Sequence, residues 1–292
     1  MIIEAGLIGK KRGAMGHDQN QTLRKKKCCK RPKVVRVPRE RSVTLQKLFL
    51  GCKDAFKGLG TVPSPDDVQM LQHILDKMKP EDIGLHSDLL FFNHINGANG
   101  TPSVTYTTTI YQCKNFSLSL FFLPNNGIIP LHNHPGMTVF SKLLLGSMHI
   151  KSYDWIDQDH KSDDPKSDDP ALSTKQRLAR LKTDKVFSAP CDTSILYPTT
   201  GGNIHEFRAV TPCVVLDVLG PPYSSEDGRD CTYYRDLPYS SISGGTLSKE
   251  QGEEKSYRWL EEIETPKESN MEWIEYRGPQ ITETNPLDLL TM

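Results

Sequence analysis

The spacing of apolar residues divides the chain into a helical stretch followed by an alternating one. Leu45, Leu48, Phe49, Cys52 and Phe56 recur every three or four residues after Ser42 and Thr44, and Gly58 and Gly60 end the run. That spacing predicts a helix with one apolar face. A second helix is predicted from the start signal Ser64-Pro65-Asp66-Asp67. Ser64 can accept from free backbone N–H groups, Pro65 suits the first turn, and the two carboxylates complement the helix dipole. Val68, Leu71, Leu75 and Met78 mark its apolar face and Pro80 closes it. Both helices are expected to serve packing alone.

From about Thr101 the period becomes two, with β-branched and aromatic residues at alternate positions. Strands are predicted over 104–111, 116–123, 137–145, 147–155, 186–187, 194–197, 205–210 and 213–219. Turn chemistry separates many of them, at Pro124-Asn125-Asn126-Gly127, Gly146, Pro198 to Gly202 and Thr211-Pro212. Many short strands at this spacing predict a sandwich or barrel. A tandem Lys-Ser-Asp-Asp-Pro (161–165, 166–170) makes 157–170 a polar surface insertion. Residues 1–40 have almost nothing to bury and are expected to be disordered. Within them Arg24 to Arg31 form a basic cluster, read either as a solvated tail or as a nuclear-import signal.

Composition narrows the partners. Lys plus Arg and Asp plus Glu number 36 each in 292 residues, so no overall charge points to nucleic acid or a membrane surface. No apolar run approaches the roughly 20 residues that span a bilayer, and no secretory leader is recognised. Seven cysteines without framework spacing favour free thiols in a reducing compartment. A soluble protein of the cytoplasm and nucleus is expected.

The candidate chemistry lies in Pro130-Leu131-His132-Asn133-His134-Pro135-Gly136. Residues two apart on a strand share a face, so His132 and His134 project toward one centre. Two such imidazoles suit iron, zinc, copper or nickel. The best third ligand is His205, which opens a strand after Gly201-Gly202. His17, His73, His86, His94 and His160 lack a comparable setting, while His149 stays open.

These segments resemble the two motifs of cupins, except that Val139 stands where the cupin pattern has a Glu. Loss of that carboxylate leaves three neutral histidines. Within the three-histidine cupins, the segments 130–155 (PLHNHPGMTVFSKLLLGSMHIKSYDW), 201–207 (GGNIHEF), 217–223 (DVLGPPY) and 228–239 (GRDCTYYRDLPY) resemble the plant cysteine oxidases, relatives of animal cysteamine dioxygenase. The resemblance spans roughly 42–242, leaving a C-terminal extension from 243 to 292. It implies a mostly β, cupin-type double-stranded β-helix (jelly-roll) barrel with N-terminal packing helices. It also implies one Fe(2+) on His132, His134 and His205. The reaction would oxidise the N-terminal cysteine of target proteins, ethylene-response transcription factors, to a sulfinic acid with O2. That product would feed the arginine N-degron pathway, making the enzyme an oxygen sensor.

By the same resemblance Asp217 and Tyr223 line the site, and Cys231 and Tyr233 match a pair that can form a thioether. Taken from the residues alone, Asp217 is either an acid facing the metal or a surface acid on an edge strand. Tyr223 is equally readable as a packing residue, and Cys231 as a buried free thiol beside a structural Tyr. The competing functions are a dioxygenase of free cysteine or cysteamine, a non-catalytic cupin, a three-histidine zinc hydrolase, and a nucleic-acid binder acting through residues 24–41.

Overall fold

A computed structural model of the chain describes residues 42–58, 60–85, 104–156, 175–241 and 256–283. The basic head, the tandem insertion, and His17, His86, His94 and His160 lie outside the described residues.

Both predicted helices form. Helix α1 (Val43–Ala55) begins where the Ser42 hydroxyl accepts from the Leu45 N–H, and α2 (Pro65–Asp76) where Ser64 accepts from Asp67 N–H. Their apolar faces meet through Leu45, Leu48, Phe49, Cys52, Leu71 and Leu75, all buried.

Twelve strands follow: β1 (Thr105–Gln112), β2 (Ser117–Leu123), β3 (Ile128–Asn133), β4 (Thr138–Leu145), β5 (Ser147–Trp155), β6 (Gln176–Ser188), β7 (Ser194–Leu196), β8 (Ile204–Ala209), β9 (Cys213–Gly220), β10 (Tyr233–Pro238), β11 (Tyr257–Ile263) and β12 (Met271–Trp273). One sheet runs β12-β1-β2-β9-β4-β7, and the other runs β10-β11-β6-β5-β8-β3 and closes on itself where β10 meets β3. From β2 to β5 and again from β7 to β9 the chain alternates between the two sheets. That winding is the double-stranded β-helix of cupins.

β9, in the middle of the first sheet, is buried on both faces. On β9, Val214, Leu216 and Val218 join the core beneath the two helices, while Cys213, Val215 and Leu219 face the space between the sheets. All eight residues of β9 are buried as a result, which is why the strand reads as a continuous apolar run. Asp217 shares the inward face.

Four stretches depart from expectation, one of them β10, where no strand was expected. Only 186–187 was predicted in β6, which extends back to Gln176 and pairs along most of β5. Eight of its thirteen residues are polar or charged and only Ala179 is buried, so pairing with β5 and β11, rather than burial, fixes it as a strand. Strands β11 and β12 lie beyond residue 242, in what was expected to be an extension. Instead, β11 stands between β6 and β10, and β12 runs parallel to β1 at the sheet edge. Both sheets therefore continue past 242.

Candidate metal centre

The register of the second sheet assembles the site. His132 on β3 lies directly across from His205 on β8, and His205 lies across from Ser152 on β5. On its other side His132 is paired with Tyr233 of β10. Directly opposed residues project to the same face, so all four point between the sheets. β3 ends at Asn133, and His134 follows one residue beyond it, at the start of a turn closed by Met137 N–H donating to the His134 carbonyl at 3.2 Å. It still shares the side of His132 expected from the alternation, with ring centroids 4.8 Å apart.

One ring nitrogen from each of His132, His134 and His205 lies within 4.8 Å of the others. No other group of His, Cys, Asp or Glu among the described residues is arranged to hold a metal. Hydrogen bonding sets two of the tautomers. His132 Nδ1–H donates to the Pro130 carbonyl at 2.7 Å and His134 Nδ1–H to the Asn203 carbonyl at 3.2 Å. A carbonyl only accepts, so each Nδ1 carries the proton and each Nε2 is left with a free lone pair. The His205 ring stacks on Phe207 at 4.3 Å, which fixes its plane. Burial holds all three imidazoles below their usual range, His132 at about 4, and their mutual repulsion adds to this at His134 and His205. At neutral pH the wall therefore presents three uncharged donors. Such a donor set fits a late first-row divalent ion.

Val139 is fully buried beside Leu219 and Tyr223 on the facing side, so no carboxylate stands at the position of the missing Glu. His149 is half-buried, bonds Asp184 at 2.7 Å and faces away from this group, which removes it as a ligand. His73 lies on α2.

Asp217 faces the same space from the opposite sheet, in register with Ser119 and Ser141. It is 4 % exposed, so it is not a surface acid. Ser141 bonds one side of the carboxyl, and Oδ1 has no partner. Burial pushes the group up to about 7, against the smaller opposing effect of the Ser141 bond. A buried acceptor left unpaired costs free energy unless something else fills it.

Tyr223 donates its hydroxyl to the Asn133 carbonyl, between two of the histidines, at 2.8 Å, and its ring lies 5.6 Å from that of His134. Cys231 is hydrogen-bonded to both Tyr223 and Tyr233, and burial raises its thiol. Cys231 therefore lies within hydrogen-bonding reach of the Tyr233 side chain. Asn203 was missed by sequence reasoning. Its side-chain oxygen accepts from His134 N–H at 3.1 Å and its amide donates to the His134 carbonyl at 2.9 Å. The one sequence signal was its place between Gly202 and Ile204, just ahead of His205.

A cavity of about 50 Å³ touches His205 and is bordered by Val139, Ser141, Ser152 and Phe207. No lysine or arginine is among the described residues that line it.

Comparison with known proteins agrees with this geometry. The family model described as PCO_ADO matches residues 74–281. Plant cysteine oxidase 1 of Arabidopsis thaliana is 46% identical over 262 residues, covering 87% of this chain and 85% of the relative. Plant cysteine oxidase 2 of the same organism is 49% identical over 243 residues, covering 82% and 83%. The 2-aminoethanethiol dioxygenase of Mus musculus is 30% identical over 264 residues, covering 85% and 96%.

Proposed function

Since this chain belongs to the family of plant cysteine oxidases and 2-aminoethanethiol dioxygenases, and is accordingly a thiol dioxygenase, we propose that it binds one iron(II) on His132, His134 and His205 and oxidises the N-terminal cysteine of proteins. The observation that carries the reading is the convergence of three neutral imidazoles with no carboxylate among them. The net reaction inserts both atoms of one dioxygen at the thiol, R–SH + O2 giving R–SO2H, with no other oxidant consumed. Held by these three residues, iron(II) would supply the redox chemistry that makes dioxygen reactive toward a thiol.

The protein's own groups do the rest. Three neutral donors leave the ion's charge undiminished, which favours loss of the substrate thiol proton. Asp217 Oδ1 faces the site without a partner and accepts from the substrate ammonium, turning the sulfur toward the histidines. Tyr223 holds the Asn133 carbonyl, and with it the spacing of His132 and His134. The apolar side chains of Val139 and Leu219 keep that wall dry.

Ethylene-response transcription factors are the targets this reading favours, on the strength of the higher identity to the plant relatives. The sulfinic terminus would then be arginylated and degraded, making turnover a report of oxygen supply. The basic cluster from Arg24 to Arg31 supports a nuclear share of the protein.

The test is mass spectrometry of an N-terminal-Cys peptide after incubation with the protein, iron(II) and labelled dioxygen. Two labelled atoms on the peptide are expected; solvent oxygen or a disulfide product overturns the reading. Exposure of the anaerobic iron(II) protein to nitric oxide should give an iron-nitrosyl signal, which a zinc site cannot give.

A further inference from the structure

The loop that delivers His205 is held by a carboxylate outside the ligand set. Asp154, on β5, is 9 % exposed and directs both oxygens at three consecutive backbone N–H groups. Gly201 N–H donates to Oδ2 at 3.2 Å, and Gly202 N–H and Asn203 N–H to Oδ1 at 2.7 and 3.2 Å. Three successive amides can converge in this way because Gly201 and Gly202 both take left-handed φ values, +83° and +84°. The result is an anion nest, built into the backbone and filled by the protein's own side chain. Neither glycine has room for a side chain: a Cβ at 202 would lie 2.5 Å from Ser152 Oγ, and one at 201 would lie 2.9 Å from the Ile195 carbonyl oxygen.

Two paths lead from this nest to the histidines. One continues through the chain from Asn203 to Ile204 and His205, where β8 pairs with the strand that carries Asp154. The other crosses through the Asn203 side chain, which grips His134 at both its backbone N–H and its carbonyl and also bonds the Tyr197 carbonyl. The Lys182 ammonium stands 3.7 Å from Asp154 but is itself half-exposed, so the carboxylate's stronger partners are the amides.

We propose that Asp154 is a positioning residue for the metal centre: by filling the nest at 201–203 it sets, together with Asn203, the separation of His134 and His205 and hence the affinity of the three-histidine site. An amide in place of the carboxylate presents one acceptor and one donor to three donors, so the nest opens on one side. Partners that orient ligands in this way typically govern metal affinity by about 10–100-fold.

The proposal rests on the three-histidine reading, and cobalt(II) binding by the metal-free full chain tests the two separately. Competition with a chromophoric chelator gives the affinity, the visible bands give the geometry, and circular dichroism of the metal-free proteins gives the folded fraction. Asp154→Asn should be folded, bind cobalt(II) at least about tenfold more weakly, and show shifted bands. Asn203→Ala leaves the nest filled but cuts the arm to His134, along with the bond to the Tyr197 carbonyl, and should weaken binding by a smaller factor. If Asp154→Asn folds poorly, Asp154→Glu replaces it, since it keeps the charge but displaces it by one methylene; weaker binding there supports the clamp and unchanged binding overturns it. A folded Asp154→Asn with the parent's affinity and spectrum overturns the clamp alone. A loss fully accounted for by the unfolded fraction does the same. A parent chain that binds no cobalt(II) overturns the three-histidine reading, and the clamp with it.

Discussion

The two walls of the site are built on opposite principles. The wall of β3 and β8 carries three imidazoles, two of them with their second nitrogen committed to a backbone carbonyl. The facing wall of β4 and β9 is apolar at Val139 and Leu219 and carries one carboxyl whose Oδ1 is unpaired. One wall presents three neutral nitrogen donors, and the other a buried acceptor without a hydrogen-bond donor. Under the proposed function the difference separates the roles: the first wall would hold the metal, and the second would receive the part of the substrate that carries protons.

The largest effect should come from breaking the first wall. His205→Ala removes a ligand, and metal content and turnover are expected to vanish together; near-normal metal content by elemental analysis would sink the assignment. Breaking the second wall should separate the two properties. Asp217→Asn should keep its metal and lose most turnover, because a hydrogen bond to a charged group contributes about 1.5–3 kcal/mol, roughly tenfold or more in rate. Full metal with unchanged turnover would remove Asp217 from the site.

Titration sharpens the same contrast. With Asp217 pushed up to about 7 by burial, it is a carboxylate above that pH and neutral below it. Peptide affinity should therefore fall as pH drops through about 7. It should fall again on the alkaline side as the substrate amine loses its proton near about 7.7–8.0. In Asp217→Asn the acid limb should disappear, as followed by KM against pH; an acid limb that persists would point to another group.

Smaller effects lie at the edge. Tyr223→Phe deletes the bond to the Asn133 carbonyl and should cost about 1 kcal/mol, read as a melting shift of about 2–4 °C with a modest fall in kcat. Removal of residues 1–40 leaves the Ser42 cap of α1 in place. It should leave turnover unchanged while a fluorescent fusion loses nuclear enrichment. A loss of turnover would show that the head supports one of the walls.

Sequence alone revealed the parts of the site that strand alternation and chemistry mark together. His132 and His134 stand out because two imidazoles two residues apart share a face, and Asp217 because an acid interrupts an apolar strand. Asp154 and Asn203 act on backbone N–H and carbonyl groups of distant segments, and no periodicity signals such a bond. For the fold, α1, α2 and the apolar strands were legible from their buried faces. β6 was largely missed because its long polar run buries little, and β11 and β12 because what makes them strands is their partners, β6 and β10 for one and β1 for the other.

Those late partners also set the order in which the molecule can be finished during synthesis. All three histidines and Asp217 precede residue 220, yet the ring of the second sheet needs β11, and the edge of the first needs β12 laid against β1 from the far end of the chain. Contacts of such long sequence separation form slowly. A ribosome that has translated every site residue has therefore still not supplied the strands that close the walls behind them. A chain released at that point presents open sheet edges, which invite pairing with other chains.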